Sequence, residues 1–250
     1  MAGRKAHNFD SKLALGFEPD NYSRSMSMGE CIARHLRGKI INAELKPGDT
    51  LPEASVAQAF NTSRAPVRDA MRLLAAEGLV NIASQSGNYV APINGDDVRN
   101  GAFIRSTLEE RNVAQLAGMI DEHGLEQLNA LLVQQEQASD AKDFARFHQL
   151  DETFHETLFA LTGRRSVWHH LQSAKVHIDR ARTLTLPRGQ TARRAIEDHH
   201  RIVDALARHD ARASADAMVV HLGRIHDLIE AVQEQEGRNG SEPVSAAAMP

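Results

Sequence analysis

The chain has 250 residues, 42% of them hydrophobic and 25% charged, which is the composition of a globular protein with room for one large or two modest domains. Its net charge of −4 excludes a general polycation, so a nucleic-acid partner has to meet a local basic patch. The single cysteine, Cys31, excludes an internal disulfide and a thiolate zinc cluster, and we interpret it as a small buried residue of a helix.

The two ends of the chain differ from the middle in composition and in hydrophobic periodicity. Residues 1–25 mix Gly, Asn, Pro, Asp and Ser without a period, which predicts a flexible N-terminal arm, and residues 236–250 predict a disordered tail. No apolar run reaches the roughly 20 residues of a membrane span, and the first residues lack the apolar stretch of a secretory signal. We therefore expect a cytoplasmic protein without a membrane partner.

A domain boundary is predicted near residue 93, where short elements punctuated by Gly and Pro give way to long helical patterns. Residues 26–93 predict three helices and a small β-hairpin. The first helix carries Ile32, Leu36, Ile40 and Leu45 on one face, and a short helix from Glu53 to Phe60 follows it. The third helix, from Arg64 to Glu77, lies between a Ser63 N-cap and a Gly78 C-cap. Strands over 79–82 and 89–91 complete a winged helix-turn-helix.

Residues 94–235 predict an all-helical antiparallel bundle. Short loops join its elements, as expected for antiparallel neighbours. The predicted helices cover residues 96–119, 122–138, 141–161, 165–184, 191–208 and 211–234. We interpret the Gln-rich run from Leu131 to Gln137 as a solvated helix face.

The third predicted helix carries a basic stripe. Arg64, Arg68 and Arg72 recur every four residues, so their side chains share one face of the helix. A recognition helix places its N-terminal residues against base edges in the major groove, where Arg binds guanine and Arg or Ser binds phosphate. Basic and acidic residues nearly balance between Met26 and Ile93, so the basicity is concentrated on this helix. We predict that Arg64 and Arg68 contact DNA; the alternative is an ordinary amphipathic helix with exposed arginines.

The segment from Glu44 to Pro92 resembles the winged helix of GntR-type bacterial transcription regulators. The resemblance rests on the PGD turn, the Ser63-Arg64 cap, the Pro-Val-Arg core of the recognition helix, the Glu-Gly-Leu-Val exit and the wing glycine. It implies DNA contacts by Ser63, Arg64, Ala65, Arg68, Arg72 and Gly87. Two positions depart from the family pattern. Ala54 stands where an Arg usually reaches DNA, and Ala65 stands where a Thr commonly meets a phosphate.

The helical half places one carboxylate and three imidazoles where they can meet. Asp151 and His155 are four residues apart in DETFH, so they share a helix face. His199 and His221 lie at equal sequence distances from a turn centred near Asp210, so an antiparallel hairpin puts them at the same height. Such an oxygen and nitrogen set suits divalent Zn, Ni, Mn or Fe. Alternatively, these are satisfied core histidines, and His200 is the chief rival ligand.

This half also resembles the ligand-sensing helical (FCD-type) domain of the FadR-like branch of the same family. The resemblance rests on IRSTLE at 104–109, LDETFHETL at 150–158, EDHHRIVDAL at 197–206 and VHL at 220–222. In metal-containing members an Asp and three His bind a divalent cation, which matches Asp151, His155, His199 and His221. An Arg on the first bundle helix often engages a ligand carboxylate, which matches Arg105, although pairing with Glu109 is the alternative.

These patterns predict a ligand-responsive transcription regulator and no enzyme. We expect a homodimer that binds a near-palindromic double-stranded DNA operator, senses a small organic acid at a divalent metal ion, and acts as a repressor. A metal-dependent hydrolase is the first alternative, because an open metal position can activate water. A DNA-binding regulator with a metal-free bundle is the second.

Overall fold

A computed structural model describes residues 13–14, 16–18, 25–83, 87–185 and 188–224 of the chain. The protein divides into two compact units, and the boundary between them lies between Ile93 and Asn94. The described residues are mostly helical with one small antiparallel hairpin, which confirms the predicted fold class of a winged helix-turn-helix and a helical bundle. The predicted C-terminal tail and most of the predicted N-terminal arm lie outside the described residues.

The first unit has three helices followed by the hairpin. They are α1 Met28–Ile41, α2 Glu53–Ala59, α3 Arg64–Ala76, β1 Val80–Ala83 and β2 Gly87–Val90. Each differs from its predicted bounds by only a few residues. Leu45, predicted on the face of α1, lies beyond the end of that helix but is still buried. The helix ends earlier because Ala43 adopts a positive φ of 58°, which turns the chain out of the helical path.

Local sequence signals set the ends of these helices. Ser27 and Glu30 form a reciprocal capping box at the start of α1, each side chain accepting a hydrogen bond from the other's backbone N–H. Gly78 follows α3 with a φ of 70°, a left-handed conformation that glycine adopts at no steric cost. An ion pair between Arg37 and Glu77 then ties α1 to the end of α3.

The hairpin is fastened to the turn that precedes α2. Val80 pairs with Val90 in the antiparallel register, and Thr50 forms a bridge to Tyr89. The Val90 carbonyl accepts a hydrogen bond from the Gly48 amide at 2.9 Å. The Pro-Gly turn predicted from sequence therefore serves as a base for β2, while the tip of the hairpin at 84–86 lies outside the described residues.

Part of the predicted arm contacts this unit. Leu13 is fully buried, and its carbonyl lies 3.2 Å from His35 Nε2. The ring of Phe17 packs edge-on against Phe60 at a centroid distance of 4.6 Å. These two apolar residues extend the core of the first unit beyond α1.

The second unit contains six helices within the described residues. They are α4 Gly95–Ala117, α5 Glu122–Asp140, α6 Phe144–Leu161, α7 Arg165–Thr185, α8 Arg188–Ala207 and α9 Ala211–Gly223. The predicted helices match these, except that residues 225–234 of the last one lie outside the described part. Within the described residues, no helix combines the length and apolar character needed to cross a membrane.

An apolar core joins the helices of this unit. Phe154 of α6 is fully buried within it, together with residues from α4, α5, α8 and α9. At another point α4 approaches α7 so closely that a Cβ on Gly101 would lie 2.3 Å from the Ala174 carbonyl oxygen. The missing side chain of Gly101 thus permits backbone contact between the two helices, one turn away from Arg105.

Candidate metal centre and nucleic-acid interface

The exposed face of α3 carries the predicted basic stripe. Arg64, Arg68 and Arg72 are all exposed, as is Ala65. The opposite face buries Val67, Ala70, Met71 and Leu74 in the core of the first unit. The amphipathic pattern therefore presents the three guanidinium groups to solvent from the N-terminal two thirds of the helix.

Two of these arginines are held by carboxylates of the same unit. Arg68 Nε donates a hydrogen bond to Glu53 Oε2 at 2.9 Å, which links α3 to the start of α2. Arg72 Nη1 contacts Asp69 Oδ1 at 3.3 Å. Arg64 has no ion pair within the described residues, so its positive charge is the least neutralised of the three.

The two remaining predicted DNA contacts flank this stripe. Ser63 occupies the N-cap position of α3 in an extended conformation, but its side chain makes no capping hydrogen bond. Its exposed hydroxyl is therefore available to another acceptor or donor. Gly87 is exposed at the start of β2, next to the hairpin tip.

In the second unit, the four predicted metal ligands come together in the interior. Asp151 and His155 of α6, His199 of α8 and His221 of α9 are all buried, and one ligand atom from each lies within 4.8 Å of the others. The Nε2 atoms of His155 and His221 are 3.2 Å apart, and His199 Nε2 is 3.6 Å from Asp151 Oδ1. Phe154 stacks on His199 and anchors the cluster to the apolar core.

The donor atoms of this cluster fit a divalent cation. His199 Nε2 is buried and has no hydrogen-bond partner among the described residues, and Asp151 Oδ2 has only a long ion-pair contact with Arg182 Nη1 at 3.5 Å. Leaving such atoms without a partner costs free energy, and a cation that accepts their lone pairs would remove that cost. Three imidazole nitrogens and one carboxylate are a donor set that Zn, Ni, Mn and Fe accept.

Each imidazole is also approached from behind by a side chain of another helix. His199 Nδ1 lies 2.8 Å from Gln135 Oε1 of α5. His155 Nδ1 lies 2.5 Å from Glu109 Oε2 of α4, a short contact that is off the ideal line of a hydrogen bond. His221 Nδ1 is 3.7 Å from an oxygen of Asp198. Partners at Nδ1 direct the Nε2 atoms inward, which is how proteins commonly orient metal-binding histidines.

The protonation states of the cluster favour a cation over protons. Burial lowers the pKa of His199 well below its ordinary value, and the neighbouring His221 lowers it further. Burial likewise lowers the pKa of His221. Burial alone would raise the pKa of Asp151, but His155 and Arg182 outweigh it, and the pKa lies well below its ordinary value. Near neutral pH the site therefore offers neutral imidazoles at His199 and His221 and an ionised carboxylate at Asp151.

Arg105 lies beside this cluster and is 1% exposed. Its Nε donates a hydrogen bond to Glu109 Oε1 at 2.6 Å. Its two terminal nitrogens, Nη1 and Nη2, are buried without an acceptor among the described residues. The predicted pairing with Glu109 is therefore present, but it uses only the Nε edge of the guanidinium. The edge formed by Nη1 and Nη2, which can bind a carboxylate through two hydrogen bonds, stays free.

A second polar cluster borders the first. His148, Glu152 and Asp179 also have ligand atoms within 4.8 Å of one another. The buried ammonium of Lys175 lies between the two carboxylates, 2.7 Å from Glu152 Oε1 and in contact with Asp179. A cation of the chain itself thus offsets part of the negative charge of this second cluster.

Comparison with known proteins decides the family of the chain. Residues 29–90 match the model of the gntR family of bacterial regulatory proteins, and residues 102–224 match the FCD domain. A transcriptional repressor of Escherichia coli strain K12, RspR, is 34% identical over 204 residues, which cover 82% of this chain and 90% of that protein. The chain belongs to the GntR family. It is a transcription regulator with an N-terminal DNA-binding domain and an FCD domain.

One further relative and one solved structure resemble the chain. A transcriptional regulator of Streptomyces ambofaciens is 33% identical over 198 residues, which cover 79% of this chain and 83% of that protein. The solved structure of the E. coli protein McbR/YncC aligns with a TM-score of 0.67 and 19% identity, covering 84% of this chain and 99% of that one. The structural match shows the shared fold.

Sequence reasoning missed some residues of the FCD site. Gln135 was included in a solvated helix face, but it is fully buried, whereas its neighbours Gln134 and Glu136 are exposed. A helix face buries every third or fourth residue, so the spacing from Leu128 and Leu132 was the signal for Gln135. His200, the rival ligand, is exposed and lies 2.8 Å from Glu136 Oε1.

Proposed function

We propose that this GntR-family protein is a FadR-like, ligand-responsive repressor that binds a near-palindromic operator as a homodimer. A small organic acid is sensed in the FCD domain, where a divalent metal ion and Arg105 hold its carboxylate. The observation that carries this proposal is the convergence of Asp151, His155, His199 and His221 beside a buried guanidinium with two unpartnered nitrogens.

The metal ion is held by these four side chains in the proposal. Four protein ligands leave one or two coordination positions of a five- or six-coordinate ion for the acid. When bound, the ion supplies a Lewis-acidic centre for a carboxylate oxygen. The chain's own residues do the rest: Gln135 and Glu109 direct the imidazoles, and the surrounding apolar core excludes water.

Arg105 gives the acid a second point of attachment. The guanidinium is charged at all physiological pH values, since the nearby carboxylates of Glu109 and Asp151 raise its pKa despite burial. A carboxylate that accepts from Nη1 and Nη2 would satisfy two buried donors that otherwise lack a partner. Recognition therefore favours acids over neutral or basic molecules.

DNA is bound by α3 in the proposal. Arg64 and Arg68 face the major groove, Arg72 and Ser63 face phosphates, and Gly87 brings the hairpin close to the backbone of the duplex. The Ala65 side chain has no hydrogen-bonding group, so at this position only the backbone amides at the start of the helix would bind a phosphate. Two such helices in a dimer would occupy successive major grooves, about one helical turn apart.

The acid controls DNA binding only if it binds two arrangements of the protein unequally. We propose that the acid favours the arrangement with lower DNA affinity, so that it relieves repression. The 34% identical relative is named a transcriptional repressor, which supports repression as the effect of DNA binding. A gluconate operon repressor of Bacillus subtilis, 26% identical over 166 residues, supports sugar acids among the compounds to test.

The metal-dependent hydrolase is the weaker alternative. Such an enzyme needs a general base near the metal, and Glu152 and Glu156 are the acidic residues that flank the ligands on α6. Glu152 contacts the buried ammonium of Lys175, and Glu156 lies 3.2 Å from Arg165 Nε. Both carboxylates are therefore engaged in ion pairs.

A thermal-shift screen tests the sensing half of the proposal. The untagged full chain is loaded with Zn²⁺, Ni²⁺ or Mn²⁺ and heated with hydroxy, keto and sugar acids. We expect one class of acid to raise the unfolding temperature by a few degrees when its concentration is about 100-fold above its dissociation constant. The shift should disappear with a chelator and in Arg105→Gln.

Fluorescence anisotropy tests the regulatory half. A labelled duplex enriched by in vitro selection with the protein is titrated with the full chain, with and without the acid found above. We expect the acid to weaken duplex binding by 5-fold or more, in the range typical of allosteric coupling. Binding of acid without any change in duplex affinity would contradict a regulatory role for the FCD site.

A further inference from the structure

Glu109 contacts both halves of the proposed effector site at once. It lies on α4, is 1% exposed, and has one oxygen toward each of two basic partners. Oε1 accepts a hydrogen bond from Arg105 Nε at 2.6 Å, and Oε2 lies 2.5 Å from His155 Nδ1. Arg105 shares the helix of Glu109, whereas His155 comes from α6, so the carboxylate spans two elements.

The contact with Arg105 decides which edge of the guanidinium is left without a partner. Because Nε is taken by Oε1, the side chain presents Nη1 and Nη2, and both are buried without an acceptor among the described residues. A guanidinium binds a carboxylate best through two parallel N–H groups. Glu109 therefore leaves Arg105 with one free edge and fixes its direction.

The contact with His155 decides which ring nitrogen can bind a metal. A carboxylate oxygen 2.5 Å from Nδ1 requires a proton on that nitrogen, which leaves the Nε2 lone pair free. His155 Nε2 is the atom that faces His221 Nε2 at 3.2 Å, inside the four-residue cluster. Glu109 thus selects the tautomer of His155 that suits coordination.

We propose that Glu109 is a positioning residue that orients the metal ligand His155 and the acid-binding Arg105 together. This inference rests on the proposed function and assigns to Glu109 the physical link between its two binding groups. The two partners approach different oxygens of the carboxylate. A glutamine of the same shape puts an amide NH2 group at one of these two positions, so one of the donors would face another donor.

The arrangement makes the two binding events depend on each other. With a metal ion held at Nε2, His155 would donate more strongly from Nδ1 to Glu109, and that carboxylate would hold the Arg105 guanidinium in its receptive direction. Thermodynamic linkage makes this coupling reciprocal: if bound metal raises the affinity for the acid, bound acid raises the affinity for the metal by the same factor. Among the described residues the Gln135 side chain hydrogen-bonds His199 and the Leu150 carbonyl and no arginine, so it orients one imidazole only.

Metal binding by Glu109→Gln tests the proposal. The full untagged chain and its Glu109→Gln and Glu110→Gln variants are titrated with Co²⁺, whose visible absorption reports the geometry of its ligands. Glu110 is the adjacent residue on the same helix and is exposed. We expect Glu109→Gln to bind Co²⁺ 10- to 100-fold more weakly and with an altered spectrum, as found for other partners of metal-bound histidines. Glu110→Gln should match the wild type.

Ring nitrogen NMR of the wild type covers the case in which Glu109→Gln fails to fold. In the Zn²⁺-loaded full chain we expect a proton on His155 Nδ1 and a slowly exchanging Nε–H on Arg105. Metal coordination by His155 Nδ1, or a proton on its Nε2, would overturn the proposal.

The outcomes separate this inference from the proposed function. A wild type that takes up neither Co²⁺ nor Zn²⁺ would remove the metal centre and with it the proposed sensing mechanism. A wild type that binds Co²⁺ while Glu109→Gln binds it with the same affinity and spectrum would overturn only the role of Glu109.

Discussion

The Nε2 atoms of His155 and His221 lie 3.2 Å apart in the interior of the FCD domain. Two neutral imidazoles in this arrangement can share at most one hydrogen bond. That hydrogen bond forms only if one of the two rings carries its proton on Nε2. His155 Nδ1, however, is already in contact with the carboxylate of Glu109. A cation between the two rings would use both lone pairs without a proton.

We expect metal content to depend on His221 and not on a nearby exposed histidine. Wild-type protein purified without a His tag should contain about one divalent ion per chain by plasma mass spectrometry. His221→Ala should reduce this to a small fraction, whereas His200→Ala, which alters an exposed ring next to His199, should not change it. Equal metal content in all three proteins would exclude the four-residue cluster as the binding site.

Stability of the metal-free protein should fall as the pH falls from 7 to 5. The pKa values of His199 and His221 are lowered in the folded state from the ordinary value of 6.5, so in this range the unfolded chain binds more protons than the folded one. Stability then rises with pH, by up to about 1.4 kcal/mol per pH unit for each histidine. Urea unfolding at each pH in the presence of a chelator measures this free energy of unfolding.

The control for this effect is the double variant His199→Gln and His221→Gln, which removes both titrating groups. Its free energy of unfolding should vary less between pH 5 and 7 than that of the wild type. A wild type that is as stable at pH 5 as at pH 7 would contradict the assigned protonation states.

Arg64→Ala should weaken operator binding more than the loss of an unrelated charge. Arg64 is exposed at the start of α3 and has no ion pair within the described residues, so its charge is available to DNA. A direct base contact is worth about 1–3 kcal/mol, which is roughly a 5- to 150-fold loss of affinity. Arg212→Ala removes an arginine of the other unit that is 92% exposed, and it should leave duplex affinity within 2-fold. Fluorescence anisotropy at fixed salt compares them.

Glu53→Gln should strengthen binding to DNA of any sequence. Glu53 holds Arg68 in an ion pair at 2.9 Å, and this pair must be weakened or shared when Arg68 meets a phosphate or a base. Removing the carboxylate charge should raise affinity for a random duplex and make the salt dependence steeper, by about one unit of slope if one more phosphate is neutralised. Unchanged slopes for random duplexes would mean that Arg68 keeps its partner or makes no contact with DNA.

Gly101→Ala should destabilise the FCD domain although alanine favours helices. The new Cβ would lie 2.3 Å from the Ala174 carbonyl oxygen, so α4 and α7 must separate. Such overpacking costs about 1–3 kcal/mol, which exceeds the gain in helix propensity of about 1 kcal/mol. At Gly118 the same substitution meets only ordinary contacts, the nearest at 3.6 Å, and should be close to neutral. Thermal unfolding of both variants distinguishes these outcomes.

The fold was predictable because its signals are local. Helical periodicity, the Ser63 N-cap position and Gly78 predicted the helices of the first unit to within a few residues. The short turn at Asp210 also allowed the heights of His199 and His221 to be compared, and the structure places their rings 4.6 Å apart. Both inferences need only residues that are close in sequence.

The partners of the site were not predictable in the same way. Gln135 and His199 are 64 residues apart in sequence, and their contact depends on the rotation of α5 and α8 about their axes. Periodicity identifies an inward face, but it does not tell which residues of two inward faces touch. The same holds for Glu53 and Arg68, which are 15 residues apart and which only the geometry pairs.

Lys175 has a consequence for how the protein responds to its surroundings. Its ammonium supplies positive charge to Glu152 and Asp179 from within the polypeptide. In the proposed function the adjacent cluster around Asp151, which Arg182 already approaches, takes up a free ion as well. If the metal site is as proposed, scarcity of trace elements would deprive one of two neighbouring electrostatic centres of its cation and leave the cation of the other in place.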